Sequence, residues 1–307
     1  MAASAQSLAR RAQGTLETVQ EALSCLAARF RTDEVLTCIK QIPAREAEFR
    51  PVPGWVRPEL AAAYRAKGID SLYSHQAAAA ELARAGKDFV VVTPTASGKT
   101  LCYNLPVLNE ILANADTRAL YLFPTKALAQ DQLTELDDLA TRLEDPFGVF
   151  TYDGDTPSDA RKAIRERGHV VLTNPDMLHT GILPHHTKWT RLFENLRYIV
   201  LDELHTYRGV FGSHLANVLR RIARIANFYG SRPQFICCSA TIANPGELAA
   251  QLIARKVETV EENGAPAAEK LFVFYNPPMI NKNLGIRRSY LTETTRVARE
   301  LLERSKH

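Results

Sequence analysis

The chain has 307 residues, 46% hydrophobic and 23% charged, with 15 Gly and 16 Pro, a balance that excludes a disordered chain and a fibrous repeat. Its length suggests two domains and allows a substantial core without disulfide or metal staples. Lys plus Arg number 38 against 34 Asp plus Glu, and the resulting net charge of +4 is compatible with a polyanionic partner without requiring one.

Residues 1–30 lack the apolar centre of a secretory signal and, with Arg10 and Arg11 ahead of any acid, read as an amphipathic surface helix. No stretch nears the ~18 apolar residues of a membrane span. The expectation is a chain that is not secreted and has no membrane partner, cytoplasmic or nucleoid-associated. Cys25, Cys38, Cys102, Cys237 and Cys238 form no CxxC pair and read as buried reduced thiols.

Residues 1–66 read as a helical extension interrupted by Pro43, Pro51, Pro53 and Pro58. Residues 67–260 change pattern: short, almost wholly apolar runs at 89–93, 119–123, 170–173, 198–202 and 234–239 alternate with helix-length polar segments. Strand alternating with helix implies an α/β fold, a parallel sheet covered on both faces. Each run ends in a polar residue, where ligand loops of open α/β sheets lie. Residues 261–307 carry a strand-like 271–275, an Asn-Pro-Pro turn and a polar tail, and read as a connector.

Thr93-Pro-Thr-Ala-Ser-Gly-Lys-Thr100 follows the first of these strands and precedes a helix-like 101–112. A triphosphate needs several converging N–H donors, which a tight loop at a helix start supplies. Thr93, Pro94, Thr95, Ala96, Ser97 and Gly98 form the loop, Lys99 can reach the β and γ phosphates, and Thr100 offers a hydroxyl to Mg²⁺. Thr93 stands where the strict pattern has its first Gly. The strand at 198–202 delivers two adjacent carboxylates: Asp202 to hold the Mg²⁺ shell, and Glu203 to accept a proton from the attacking water. Lys99 and Glu203 are thus the catalytic candidates, with ATP and Mg²⁺ as cofactors.

With these motifs, the sequence resembles the superfamily-2 helicases of the DExH type. Leu72-Tyr-Ser-His-Gln76 is similar to the family's Q motif, which implies adenine reading by Gln76 beside Tyr73. Phe123-Pro-Thr-Lys-Ala-Leu128, the Gly154 region and Thr173-Asn-Pro-Asp-Met177 resemble the motifs that hold one nucleic-acid strand, which implies contacts from Pro124, Thr125, Lys126, Gly154, Thr173, Asn174, Pro175 and Asp176. Such contacts go to the strand's backbone and read no sequence. Asp202-Glu-Leu-His205 resembles motif II, and Ser239-Ala-Thr241 resembles motif III, so His205, Ser239 and Thr241 are implied to couple hydrolysis to strand movement.

Longer segments, including Pro94 to Leu108, 178–189, 203–214 and Phe274-Tyr-Asn-Pro-Pro278, resemble the MrfA/YprA branch. The resemblance implies a RecA-like ATP-binding domain of an ATP-dependent 3′–5′ DNA helicase, acting in DNA repair on single-stranded or partly duplex DNA. Such proteins carry a second RecA-like domain with its own catalytic arginine. Only 66 residues follow Thr241, so the second domain is expected as an absent partner and the isolated chain as weakly active or inactive. The residues leave open a stand-alone ATP-dependent binding module and an RNA motor. Also open are whether the basic clusters Arg161, Lys162, Arg165, Arg167 and Arg220, Arg221, Arg224 are solvated helix faces or a DNA footprint, and whether Trp189 packs or stacks on a base.

Overall fold

The computed structural model describes Glu21, residues 35–144 and residues 146–304. It divides into two compact units, one spanning Glu46–Pro266 and one joining the residues up to Arg45 to those from Ala267 onward.

The larger unit begins with β1 (Phe49–Pro51), α1 (Pro58–Ala66), β2 (Ser71–Tyr73) and α2 (Ser74–Arg84). It continues with β3 (Phe89–Val92), α3 (Lys99–Ala113), β4 (Arg118–Leu122), α4 (Lys126–Ala140), β5 (Val149–Thr151), α5 (Ser158–Arg167) and β6 (Val170–Thr173). After irregular helical turns at 175–189 and a short helix Thr190–Glu194 come β7 (Leu196–Leu201), α6 (Gly209–Phe228), β8 (Gln234–Ser239), α7 (Pro245–Ile253) and β9 (Glu258–Val260).

Seven of these strands form one parallel sheet in the order β9-β3-β8-β7-β4-β6-β5. The apolar runs explain it. In a strand, successive side chains point to opposite faces, so a run that is apolar throughout suits a sheet buried on both sides. Val91, Tyr121, Leu172, Val200, Ile236 and Cys238 enter one core, and their neighbours Val90, Val92, Leu120, Leu122, Ile199, Leu201 and Cys237 enter the other. Each fully buried Val or Leu contributes about 1.5–3 kcal/mol, and the two cores hold the sheet between helix layers. This is the RecA-like α/β arrangement. The runs at 119–123 and 198–202 begin a little earlier as strands, and the edge strands β5 and β9 join the sheet unforeseen, each being three residues long. All seven strands run the same way, so the loops after them share one edge.

The second unit pairs a strand Leu36–Ile42 antiparallel with Lys270–Tyr275. It adds a hairpin of Met279–Asn281 with Ile286–Arg287, and a helix Tyr290–Arg304 whose Glu293, 1% exposed, takes Arg288 Nη1 at 2.7 Å. This corrects the helical reading of residues 1–66 at Leu36–Ile42 and Phe49–Pro51, which are strands. The strand-like 271–275 forms as Lys270–Tyr275 and pairs back onto Leu36–Ile42. The strand at 36–42 escaped the sequence because its partner lies too far away in sequence for local pattern to join them. The amphipathic helix expected at 1–30 lies outside the described residues, apart from exposed, helical Glu21.

Among the described residues Cys102, Cys237 and Cys238 are buried as expected, whereas Cys38 is exposed on its strand. No helix among them is long and apolar enough to cross a membrane.

Candidate active site

β3 feeds straight into the loop 93–98, and Gly98 turns the chain into α3 with φ +76, the left-handed region that glycine enters freely. No side chain caps this helix start, which leaves its first N–H groups and the positive end of its dipole facing the loop. Ala96 also takes a positive φ of 61, a conformation costing a non-glycine residue about 1–2 kcal/mol. The loop is braced from within by Thr93 Oγ1 and Ser97 Oγ at 2.6 Å. Lys99 Nζ donates to Thr93 O and Pro94 O, each at 2.9 Å, so its ammonium curls back over the loop.

The Q-like segment braces the loop from outside. His75 Nε2 lies 3.1 Å from Ser97 O, and Gln76 Nε2 donates to Gly98 O at 2.9 Å while its Oε1 accepts from Tyr73 N at 2.9 Å. Both halves of the Gln76 amide are therefore engaged within the chain, and Gln76 is only 5% exposed. Phe49 of β1 stacks on Tyr73, ring centroids 5.4 Å apart.

β7, two strands away from β3 across β8, leads directly into Asp202. Asp202 Oδ1 accepts from Glu203 N at 2.8 Å, and its Oδ2 lies 3.0 Å from the Tyr103 hydroxyl of α3. Burial raises the Asp202 carboxyl above the ordinary range and outweighs the opposing bonds from Glu203 N–H and Tyr103. Glu203 takes φ +51, a strained conformation for a glutamate. His205 Nδ1 is 3.3 Å from both Ala240 N and Glu203 Oε2. The neutral ring can accept from Ala240, and a ring protonated there can donate to Glu203. Ser239 is fully buried and bonds Ala240 O at 2.8 Å, while Thr241 is exposed on the loop after β8.

Loop, helix start and carboxylates enclose a cleft of about 370 Å³, lined by Thr95, Ala96, Ser97, Gly98, Lys99, Thr100, Asp202 and Glu203, with Phe123, Leu128, Asp131, Gln132 and Glu135 on the side of α4. Four of these residues are carboxylic acids and one is a lysine. A nucleoside triphosphate, itself strongly anionic, needs a countercharge to enter such a cleft, and a divalent cation supplies it. The Thr100 hydroxyl and Asp202 carboxylate are hard oxygen donors of the kind Mg²⁺ takes. Among the described residues no three His, Cys, Asp or Glu side chains cluster as a metal site. The remaining ligands would come from phosphate and water, the usual pattern for Mg²⁺.

The strand-contact candidates occupy the loops after β4, β5 and β6, beside the nucleotide cleft on the same edge. Thr125 and Lys126 are exposed at the start of α4, where Thr125 Oγ1 accepts from Leu128 N at 3.4 Å. Lys126 is ion-paired with exposed Asp155. Gly154 and Asp176 are exposed, Pro124 and Asn174 half-buried, and Asn174 Oδ1 caps the following turn by accepting from Met177 N at 2.8 Å.

Thr173 and Pro175 depart from expectation. Thr173 is 2% exposed and its hydroxyl donates inward to Tyr152 O at 2.6 Å, so that side chain ties β6 to the 152–156 loop rather than facing a strand. Pro175 is likewise buried. Trp189 is 1% exposed and packs edge-on against Tyr152 at 4.8 Å, which makes it core. Arg161 is anchored rather than solvated: its Nε donates to Thr156 O at 2.9 Å and its guanidinium lies 5.3 Å from the Tyr152 ring. Arg220 and Arg224 are exposed on α6.

Sequence reasoning missed Tyr103 and Gln132, which meet beneath Asp202. The available signal was helical spacing, since Tyr103 follows Thr100 by one turn of α3 and so shares its face.

A seven-stranded parallel sheet with a Gly-Lys-Thr loop at one strand end and paired carboxylates two strands away is the arrangement of a RecA-like domain. A DEAD/DEAH box helicase domain matches residues 73–248, and the chain belongs to that family. The ATP-dependent helicase YprA of Bacillus subtilis is 55% identical over 284 residues, covering 92% of this chain and 38% of YprA. The ATP-dependent helicase Hrq1 of Saccharomyces cerevisiae is 36% identical over 278 residues, covering 89% of this chain and 25% of its own. Among solved structures, the DUF1998 helicase MrfA bound to DNA and AMPPNP has a TM-score of 0.88 at 54% identity, covering 93% of this chain and 39% of MrfA. The chain therefore spans well under half the length of these relatives.

Proposed function

We propose that this chain is the ATP-binding lobe of an ATP-dependent 3′–5′ DNA helicase that acts in DNA repair. One observation carries the reading: Lys99, Thr100, Asp202 and Glu203 line a single cleft, and the strand-contact loops stand beside it on the same sheet edge. The DNA-bound and AMPPNP-bound state of MrfA supports the choice of ligands.

In this reading the loop N–H groups and the α3 start hold the phosphates, and Lys99 transfers its bonds from Thr93 O and Pro94 O to the β and γ phosphates. Thr100 and Asp202 hold Mg²⁺, which when bound neutralises phosphate charge. Glu203 accepts the proton of the attacking water. His205, between Glu203 and Ala240, passes the change in this pocket to the loop of Ser239 and Thr241. Gln76 and Tyr73 face the adenine, and Gln76 must exchange at least one of its present bonds to read it. Thr125, Lys126, Gly154, Asn174 and Asp176 hold one strand by its backbone, with Pro124, Thr173 and Pro175 shaping their loops. A second RecA-like domain, as the longer relatives suggest, closes the cleft, and the protein works where DNA is, in the nucleoid or cytoplasm.

The test is unwinding by the full-length protein of duplexes bearing a 3′ or a 5′ single-stranded DNA tail, with RNA-tailed duplexes in parallel. ATP-dependent unwinding of the 3′-tailed DNA supports the reading. Unwinding from the 5′ tail alone, or of RNA alone, overturns it, and ATP-dependent DNA binding without unwinding identifies a binding module instead.

A further inference from the structure

The floor of the cleft holds two polar side chains that the proposed chemistry does not use. Tyr103 is fully buried, and its hydroxyl lies 2.8 Å from Gln132 Oε1 and 3.0 Å from Asp202 Oδ2. Gln132 is 5% exposed, and its Nε2 is buried with no hydrogen bond of ordinary geometry, leaving it only a loose contact with Glu135. A buried polar atom left unpaired costs about 1–3 kcal/mol, so the Gln132 Nε2, next to a Tyr103 hydroxyl that faces two acceptors, calls for a physical reason.

The hydrogen count supplies one. A tyrosine hydroxyl has a single hydrogen and here meets two acceptors. The charged acceptor forms the stronger bond, so the hydrogen goes to Asp202. Gln132 then serves the hydroxyl best as a donor: turning its amide by half a rotation brings Nε2 to the Tyr103 oxygen and satisfies the atom now unpaired. The result is a relay from Gln132 N–H to Tyr103 O–H to Asp202 Oδ2. Asp202 Oδ1 is already held by Glu203 N at 2.8 Å, so both carboxylate oxygens are fixed and the plane of the group is set.

We propose that Tyr103 and Gln132 are positioning residues that orient Asp202 for its divalent cation and tie it to α4. The proposal rests on the reading of Asp202 as a metal ligand. Partners that orient a metal ligand typically change metal affinity by about 10–100-fold when removed. Gln132 also lies about two turns along α4 from Thr125, at the start of the helix that meets the strand. The metal site and a strand contact thus share one rigid rod.

The test measures ADP affinity with and without Mg²⁺, and Mn²⁺ affinity in the presence of ADP, in the wild-type protein and in Tyr103→Phe, Gln132→Leu, their double variant and Asp202→Asn. Tyr103→Phe is expected to keep metal-free ADP affinity within about twofold while losing roughly tenfold in metal affinity. Gln132→Leu is expected to lose less, and the double variant no more than Tyr103→Phe, since both act through one oxygen. A merely structural role would shift metal-free ADP affinity equally. Gln132→Leu keeps the test open if Tyr103→Phe does not fold. Wild-type metal affinity in either variant, with Asp202→Asn impaired, overturns the relay and leaves the metal reading standing. Wild-type metal affinity in Asp202→Asn overturns the metal reading and the relay with it.

Discussion

Gly98→Ala is the sharpest structural perturbation of the phosphate loop. Gly98 sits at φ +76, where a residue with a Cβ loses about 1–2 kcal/mol. The added Cβ would stand 2.6 Å from Gln76 Nε2, closer than such contacts permit. The amide must move, and it is held at both ends, by Gly98 O and Tyr73 N. Losing the bond to Gly98 O costs about 1 kcal/mol. The lower entropy of the unfolded Ala chain returns at most about 1 kcal/mol. The expected net loss is about 1–3 kcal/mol in urea unfolding, with ADP binding weakened because the N–H groups at the helix start shift. Gly98→Ala combined with Gln76→Ala removes the clash but not the backbone strain, so the two changes should couple by about 1 kcal/mol. A Gly98→Ala protein within 0.5 kcal/mol of wild type, with unchanged ADP affinity, would refute the reasoning.

Three further outcomes are expected. Burial pushes the thiols of Cys102, Cys237 and Cys238 up, so a Cys25→Ser, Cys38→Ser protein should react with a thiol reagent at pH 8 only on unfolding; rapid native labelling would show the core to be open. His169 is held below its ordinary pKa by burial and by Arg118, while its Nδ1 accepts from Gly148 N at 2.9 Å. Below about pH 6.5 the unfolded chain therefore takes a proton that the native ring resists, and stability falls as pH drops. His169→Gln should flatten that part of the stability–pH curve, and an identical slope counts against the assignment. Asp155 competes with any phosphate for Lys126, so Asp155→Asn should tighten single-stranded DNA binding several-fold in low salt and Lys126→Ala should weaken it; no change in either removes Lys126 from the interface.

The central sheet was legible because burial on both faces leaves a continuous apolar run that needs no partner to be recognised. The proposed phosphate loop stood out for a related reason: Gly98, Lys99 and Thr100 are adjacent in sequence, and phosphate binding would demand their adjacency. The pairing of 36–42 with 270–275 was not legible, since 36–42 is exposed almost throughout, 270–275 only alternates, and the mate lies more than 220 positions away in sequence. Thr173 shows a subtler limit. Its place at a strand end was legible, but which way its hydroxyl turns depends on Tyr152 O, supplied by the loop after β5. Tyr103 and Asp202 likewise meet only through the sheet order, across 99 positions of sequence.

The most direct measurement is ATP hydrolysis by the full-length protein, with its proposed second RecA-like domain, with and without single-stranded DNA, alongside Glu203→Gln. The account expects turnover that rises on adding DNA and collapses in Glu203→Gln while ATP binding persists. Turnover indifferent to DNA, or undiminished in Glu203→Gln, would contradict it.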